Sequence, residues 1–208
     1  MSLTHEWLGL TPYQEALQLQ LELSANLRAS KNIHILGLEH PTVVTLGRRA
    51  KIEEELPLGA LALQQRQIEC INTDRGGQAT LHSPGQLVIY PLVPLTSYGW
   101  GVRQFVNILE ESLISSFASF GIESYQREGD PGIYTDQGKI AFCGLRVDRG
   151  VTRHGLSVNI SNDLHLFELI RPCGVSHRPM NSALRQEKNF STQDFFEVWV
   201  REFQDRAF

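Results

Sequence analysis

The sequence predicts an α+β fold, a single domain with a mixed, largely antiparallel sheet flanked by helices. Three observations predict it. Strand-like and helix-like runs alternate along the chain without a regular βαβ rhythm. Residues 132 to 160 hold three strand-like runs joined by tight turns, Asp136-Gln137-Gly138 and Asp148-Arg149-Gly150, as in an antiparallel meander. Three stretches carry apolar residues at helical spacing.

In order, Thr11-Pro12-Tyr13-Gln14 opens the first helix, with Thr11 as N-cap, Pro12 in the first turn and Gln14 completing a capping box. Tyr13, Ala16, Leu17, Leu21 and Leu27 give it an apolar face to about Ala29. Asn32 to Glu39 and Val43 to Gly47 read as strands parted by the His40-Pro41 turn. Leu58 to Gln67 reads as a short helix, and Ile68 to Asn72 as a strand entering a glycine-rich turn. Gln86 to Val93 is a strand of buried type. A long helix spans about Val102 to Phe120, its stripe formed by Val102, Phe105, Val106, Leu109, Leu113, Ile114 and Phe117, and Gly121 stops it. After the meander, an apolar run from Phe167 to Ile170 ends against Arg171-Pro172-Cys173-Gly174. A last helix from about Thr192 to Gln204 buries Phe195, Phe196, Trp199 and Phe203.

The chain has 208 residues, of which 41% are hydrophobic and 9% aromatic. That is enough for one sizeable core, and residues 1–208 are expected to form one domain. Lys+Arg 19 against Asp+Glu 23 leaves a net charge of -4, which argues against a nucleic-acid binder with a basic footprint. No apolar run approaches the ~20 residues of a membrane span. Met1 to Trp7 lacks a basic start followed by an apolar stretch, so no signal peptide is expected. Three widely spaced cysteines, Cys70, Cys143 and Cys173, fit neither a disulfide framework nor a zinc knuckle. A reduced, cytoplasmic enzyme or binding protein remains.

The densest segment runs from Arg75 through Gly76, Gly77, Gln78, Ala79, Thr80, Leu81 and His82 to Gln86. Paired glycines let a backbone approach a ligand closely, while Arg75 and His82 bracket the turn with a fixed cation and a titratable group. A hairpin with glycines at positive φ explains any two of these residues equally well. The segment lacks the Gly-Lys-Ser/Thr ending of a phosphate loop and the following helix of a dinucleotide fingerprint. Cys70 and Cys143 read as core cysteines, although Cys143 could line a pocket. Cys173, between Pro172 and Gly174, sits in a turn where a thiol can be accessible or merely structural. Reactivity there needs a cation or aligned donors to lower a thiol pKa of ~8.5. Lys139, at the head of an apolar strand, is a candidate cation, with a solvated strand-end lysine as the commoner alternative. His154 is a supporting polar candidate, or a histidine capping a strand. His40 reads as a turn residue, and His5, His34, His165 and His177 carry no metal-ligand spacing.

Taken together, these segments resemble the lipoyl (octanoyl) transferase family. The resemblance runs from Leu36 to Gly174 and rests on Glu39-His40-Pro41, Thr45-Leu46-Gly47-Arg48, the block from 75 to 86, and Gly138-Lys139-Ile140-Ala141. It continues through Gly144-Leu145-Arg146-Val147, His154-Gly155-Leu156 with Asn159, and Pro172-Cys173-Gly174. It departs at Arg171, where the family usually carries asparagine, and over Val175 to Met180. The resemblance implies the fold of biotin and lipoate ligases and transfer of an octanoyl or lipoyl group. The donor would be octanoyl-acyl carrier protein. The acceptor would be a lysine of the lipoyl domains of 2-oxoacid dehydrogenase E2 subunits and of the glycine cleavage H protein. It implies Cys173 as the acyl-thioester nucleophile and Lys139 as its partner. It also implies an acyl pocket lined by Arg75 to His82, Phe142, Cys143, Gly144, Gly155, Leu156 and Ser157. No cofactor, metal, nucleic acid or membrane is implied. The rival expectations are an ATP-dependent lipoate or biotin-type ligase of the same fold, and a non-catalytic module docking acidic proteins through Arg48, Arg49, Arg146, Arg149 and Arg153.

Overall fold

The computed structural model describes residues 2–28, 30–171 and 179–208. Its ten strands are β1 (Leu3–Leu10), β2 (Ile33–Glu39), β3 (Val43–Leu46), β4 (Glu69–Asn72), β5 (Ala79–His82), β6 (Gln86–Leu92), β7 (Tyr125–Gln126), β8 (Gly132–Thr135), β9 (Gly138–Asp148) and β10 (Val151–Asn159). The α-helices are α1 (Tyr13–Leu27), α2 (Ile52–Glu55), α3 (Gly59–Gln65), α4 (Leu95–Tyr98), α5 (Val102–Ser119) and α6 (Thr192–Ala207). Seven strands form one sheet in the order β1-β2-β6-β10-β9-β8-β7, and β4-β3-β5 form a second. In the large sheet only β1 with β2 is parallel, so it is mixed and largely antiparallel, and β8-β9-β10 is the expected meander.

One face of the large sheet is covered by α5 and α6. Phe105, Leu109, Leu113 and Phe117 of α5 and Phe195, Phe196, Trp199 and Phe203 of α6 are fully buried against Ile35, Ile89, Ile140 and Val158. Each such side chain removed from water stabilises by about 1.5–3 kcal/mol. The opposite face receives Ala16 of α1 against Leu36, Leu38, Val88 and Tyr90. The small sheet closes its own cluster, in which Val44, Leu46, Leu63 and Leu81 meet Phe167 and Ile170.

Several expectations change in detail. β1 is absent from the sequence reading; it is an edge strand whose side chains are exposed or half-buried with no clean alternation, so its order comes from pairing with β2. Thr11 does not cap α1: its hydroxyl donates to the Leu8 carbonyl (3.1 Å), and Pro12 occupies the cap. The expected end of that helix at Ala29 lies outside the described residues. Of the apolar run Phe167 to Ile170, the first three residues close a 3-10 turn, Leu164–Leu169, and Ile170 follows it in extended backbone. The last helix continues to Ala207 and starts in a capping box, with Ser191 and Asp194 exchanging backbone bonds at 3.0 Å.

The chain passes between the two sheets at residues 40–42 and again at 83–85. Glu39 holds these crossings together. Its carboxylate accepts the Gly85 N–H at 2.6 Å and the Thr192 hydroxyl at the head of α6. Gly85 has φ +83°, and a Cβ there would stand 2.8 Å from the Asn162 nitrogen. Gly37, central in β2, lies under the Phe196 ring, whose carbons would stand 2.6 Å from an added Cβ. Gly37→Ala is therefore expected to lose about 1–3 kcal/mol in urea unfolding through overpacking. Unchanged stability would mean that α6 does not seat its ring there.

Candidate functional site

The glycine segment becomes a loop fastened between the two sheets. Arg75 is buried, and its guanidinium donates to the Thr45 hydroxyl (3.0 and 2.8 Å), the Thr45 carbonyl (2.6 Å) and the Gly76 carbonyl (3.0 Å). It braces the loop and is also part of the wall of the adjoining cavity. The turn after β3 is laid on the same loop: the Arg48 N–H donates to the Arg75 carbonyl and the Arg49 N–H to the Gly77 carbonyl. On the other side, the Gly76 N–H donates to Leu145 of β9 at 2.9 Å. Gly77 has φ +88°, the region open to glycine without strain. At the far end of the loop the buried Glu55 carboxylate accepts the Ala79 N–H.

Between this loop and the large sheet lies a cavity of about 320 Å³, at the small end of the range for ligand sites. Its walls include Gly76, Gly77, Gln78, Ala79, Thr80 and His82 from the loop and β5, and Lys139, Phe142, Cys143, Gly144 and Leu145 from β9. His154, Gly155, Leu156 and Ser157 come from β10, Val88 and Tyr90 from β6, and Val102 and Val106 from α5. Nearly all the residues expected at the pocket are thus brought together. Leu81 is not. Strand alternation turns it away from Thr80 and into the small-sheet cluster, where it is fully buried.

One end of the cavity is a packed group that the sequence reading missed as a unit. The Tyr13 ring lies 5.2 Å from His40 and 6.3 Å from His82, and Tyr90 lies 6.3 Å from His154. His40, expected to be a turn residue, is fully buried; its Nδ1 donates to the Thr11 carbonyl (2.6 Å), and its Nε2 accepts the Tyr90 hydroxyl (2.7 Å). His82 Nδ1 donates to Gln86 Oε1 at 2.7 Å. Burial pushes His40 down to about 4 and His82 to about 3, so both rings are neutral near pH 7. His154 is also lowered by burial, although Asp74 opposes the shift; its Nε2 donates to Asp74 at 2.8 Å and its Nδ1 faces the Tyr13 hydroxyl at 3.4 Å. His154 sits at φ +55°, and its N–H is taken by the buried Gln20 side chain of α1 at 2.7 Å. Tyr13 had read as part of an apolar helix face and Tyr90 as strand core. Only proximity of Glu39-His40-Pro41 to the other motifs hinted at them.

Lys139 defines the other end. Its Nζ donates to Asp130 Oδ1 (3.1 Å) and the Pro131 carbonyl (2.8 Å), and it lies 5.1 and 5.3 Å from the ring centres of Tyr134 and Phe142. It is buried, not a solvated strand-end lysine. Its backbone is clamped by the chain at 179–181: Lys139 N–H donates to the Pro179 carbonyl and Asn181 N–H to the Lys139 carbonyl, both at 2.9 Å. Cys143 lines the cavity, but burial and then Glu110 push its thiol up to about 12. Burial also raises Cys70, which packs against the small-sheet cluster. Of the docking arginines, Arg153 is buried and pairs with Asp74 at 2.6 Å, and Arg146 approaches the same carboxylate at 3.7 Å, whereas Arg48, Arg49 and Arg149 are exposed. Cys173, with its neighbours Pro172 and Gly174, and His177 lie outside the described residues.

The profile of the family described as the lipoyl protein ligase A/B catalytic domain matches residues 12–204. An octanoyltransferase of Halorhodospira halophila is 41% identical over 82% of this chain and 75% of its own length. That of Maridesulfovibrio salexigens is 37% identical over 94% of this chain and 92% of its own. Among solved structures, a chain from the bipartite lipoate protein ligase and E2 lipoyl domain of Thermoplasma acidophilum superposes with a TM-score of 0.75 at 15% identity, covering 99% of this chain and 84% of that one. The biotin protein ligase of Aquifex aeolicus gives 0.59 at 11%, covering 98% and 70%. These two likenesses show the fold.

The His154 ring Nε2–H first, and then Arg153, hold the Asp74 carboxyl well below the usual carboxylate range. A depressed carboxyl stabilises the fold above the unfolded value of ~3.9 and loses that contribution as pH falls below it. Asp74→Asn should therefore melt below the wild type at pH 7, and the gap should shrink in melts near pH 3. A gap independent of pH would show that the Asp74 charge does not matter.

Proposed function

Because the chain belongs to the lipoyl protein ligase A/B catalytic-domain family, we propose that it is an octanoyltransferase that works through a cysteine thioester. The observation that carries this reading is the run of octanoyltransferases 37–42% identical over most of the chain. The geometry supports it: an apolar cavity of acyl size ends at a buried, oriented lysine. The donor is octanoyl-acyl carrier protein. The acceptors are lysines on the lipoyl domains of 2-oxoacid dehydrogenase E2 subunits and on the glycine cleavage H protein. The reading is of a cytoplasmic enzyme; among the described residues no helix is long and apolar enough to cross a membrane.

In this reading Cys173 is the nucleophile and Lys139 its proton partner. The Cys173 thiolate attacks the donor carbonyl, the bond to the carrier sulfur breaks, and the Lys139 ammonium gives its proton to the departing thiolate. Lys139 is then neutral. The acceptor lysine attacks the acyl-cysteine, Lys139 takes the amine proton, and the Cys173 thiolate leaves, which regenerates the starting pair. Thioester exchange is nearly balanced, and formation of the amide draws the reaction forward without ATP. Cys70 and Cys143 are unsuited to the first step because both thiols are pushed up and stay protonated. The neutral Tyr13, His40, His82 and Tyr90 group closes the acyl end, and the Arg75 guanidinium beside it has its donors used on Thr45 and Gly76. The ligase reading keeps the same fold and falls within the same family model, but it needs no cysteine nucleophile, and the lipoate ligases among the solved structures are near 15% identical, against 37–42% for the octanoyltransferases.

Mixing the protein with octanoyl-carrier protein, without ATP, should add one octanoyl group by intact mass to wild type and none to Cys173→Ser. Adding a lipoyl domain should discharge it. Lipoyl-domain modification that requires ATP and free acid would establish the ligase instead. Lys139→Met should lower turnover by about 10²–10⁴-fold, the usual worth of a general base. Reversing Arg48 and Arg49 to glutamate should weaken carrier binding in a salt-dependent way. Unchanged affinity at low salt would remove the docking role.

A further inference from the structure

Resting on the reading of Lys139 as proton acceptor, we infer that Asp130 is a positioning residue that sets the direction and proton affinity of the Lys139 ammonium. Asp130 opens the turn before β8, and its Oδ1 stands 3.1 Å from Lys139 Nζ. The next carbonyl, of Pro131, receives the same ammonium at 2.8 Å, so two donors of a three-donor head are fixed by one turn. The turn itself is held from behind. The Gly132 N–H donates to the buried Glu110 carboxylate of α5 at 2.6 Å, and a Cβ on Gly132 would stand 2.6 Å from Lys139 Cε. Glycine at 132 thus lets the lysine stem pass, and Glu110 fixes the height at which Asp130 and Pro131 meet its head.

The chemistry asks two opposed things of this lysine. It must be charged beside the thiolate and the leaving carrier sulfur, yet neutral when the acceptor amine attacks. A carboxylate in contact favours the ammonium, so Asp130 raises the pH at which the neutral form appears. Among the described residues, the other charged or titratable groups facing Lys139 are Glu110 from α5, Tyr134 from β8 and Cys143 on β9, while Arg127 lies over the Tyr134 ring and beside Asp130. Asp130 is the one whose contact with Nζ is direct and whose side chain is part-exposed, so its charge can be removed without emptying the core.

The test isolates the second half-reaction. Wild type, Asp130→Asn, Asp130→Ser and Asp130→Glu are first acylated with octanoyl-carrier protein, and discharge onto a lipoyl domain is then timed as a function of pH. Titration of the acceptor amine is common to all four and cancels. Both neutral variants should move the half-maximal rate down by about one pH unit, as expected for loss of an adjacent opposite charge. Asp130→Glu should return the profile toward wild type. A profile unmoved in both neutral variants, with wild-type melting curves, would overturn the role of Asp130 while leaving the transferase intact. A wild type that forms no acyl-enzyme would instead overturn the transferase reading, and this inference with it.

Discussion

Burial of the Arg75 guanidinium is the constraint on which the rest of the site depends. A charge that is out of water is tolerated only where its donors are nearly all used, and here four bonds go to Thr45 and Gly76. Those bonds tie the glycine loop to β3. The Gly76 bond to Leu145 ties the same loop to β9, so the small sheet and the large sheet are held at one separation. That separation is the width of the cavity. Withdrawing the guanidinium would remove its bonds to Thr45 and Gly76, at about 1.5–3 kcal/mol for a hydrogen bond to a charged group, and would release the wall in the same event.

The cavity is electrostatically lopsided, and burial makes it so. At one end the three imidazoles are lowered by desolvation and bonded to Thr11, Gln86 and Asp74, and the phenols of Tyr13 and Tyr90 are raised. The imidazoles and phenols there are neutral around pH 7; the charges beside them are Asp74, which faces Arg153 and solvent, and the Arg75 guanidinium, whose donors go to Thr45 and Gly76. At the other end an ammonium meets a carboxylate and a carbonyl. In the proposed acyl transfer the chain has no charge to offer and the thioester exchange develops one, so each end of the cavity suits one end of that substrate. Arg75 lines the cavity as expected, but its donors are used on Thr45 and Gly76, which leaves its guanidinium little to offer an anion.

Most of the fold was legible because its signals are local. The stripe of α5, the turns of the meander and the aromatic face of α6 follow from spacing alone, and the buried positions agree, apart from exposed Val102 and the partly buried Val106 and Ile114. β1 was not legible because an edge strand with exposed or half-buried side chains carries no strong alternation. The Thr11 cap failed because its hydroxyl found the Leu8 carbonyl, a competitor that exists only once β1 is folded. At the site, motif residues were legible as a set but their division of labour was not. Whether Arg75 braces or binds, and whether Leu81 faces inward or outward, depends on which sheet each strand joins.

The same distinction explains why Cys143 and Lys139, four residues apart on one strand, come to opposite uses. Cys143 lies on the stretch of β9 facing the cavity, where desolvation is the largest influence on its thiol and Glu110 adds to it, while Lys139 opposes both without prevailing. A thiol kept near 12 is inert toward a thioester, which suits a wall of an acyl pocket: a nucleophile there would capture the chain away from the proton acceptor. Lys139 heads the strand, where the turn at 130–132 and the returning chain at 179–181 supply it with oxygen partners. A buried lysine without such oxygens would shed its proton to escape desolvation, and the charge required beside a thiolate would be lost. The surrounding backbone, more than the residue types themselves, therefore decides which of the two groups is suited to the proposed acyl transfer.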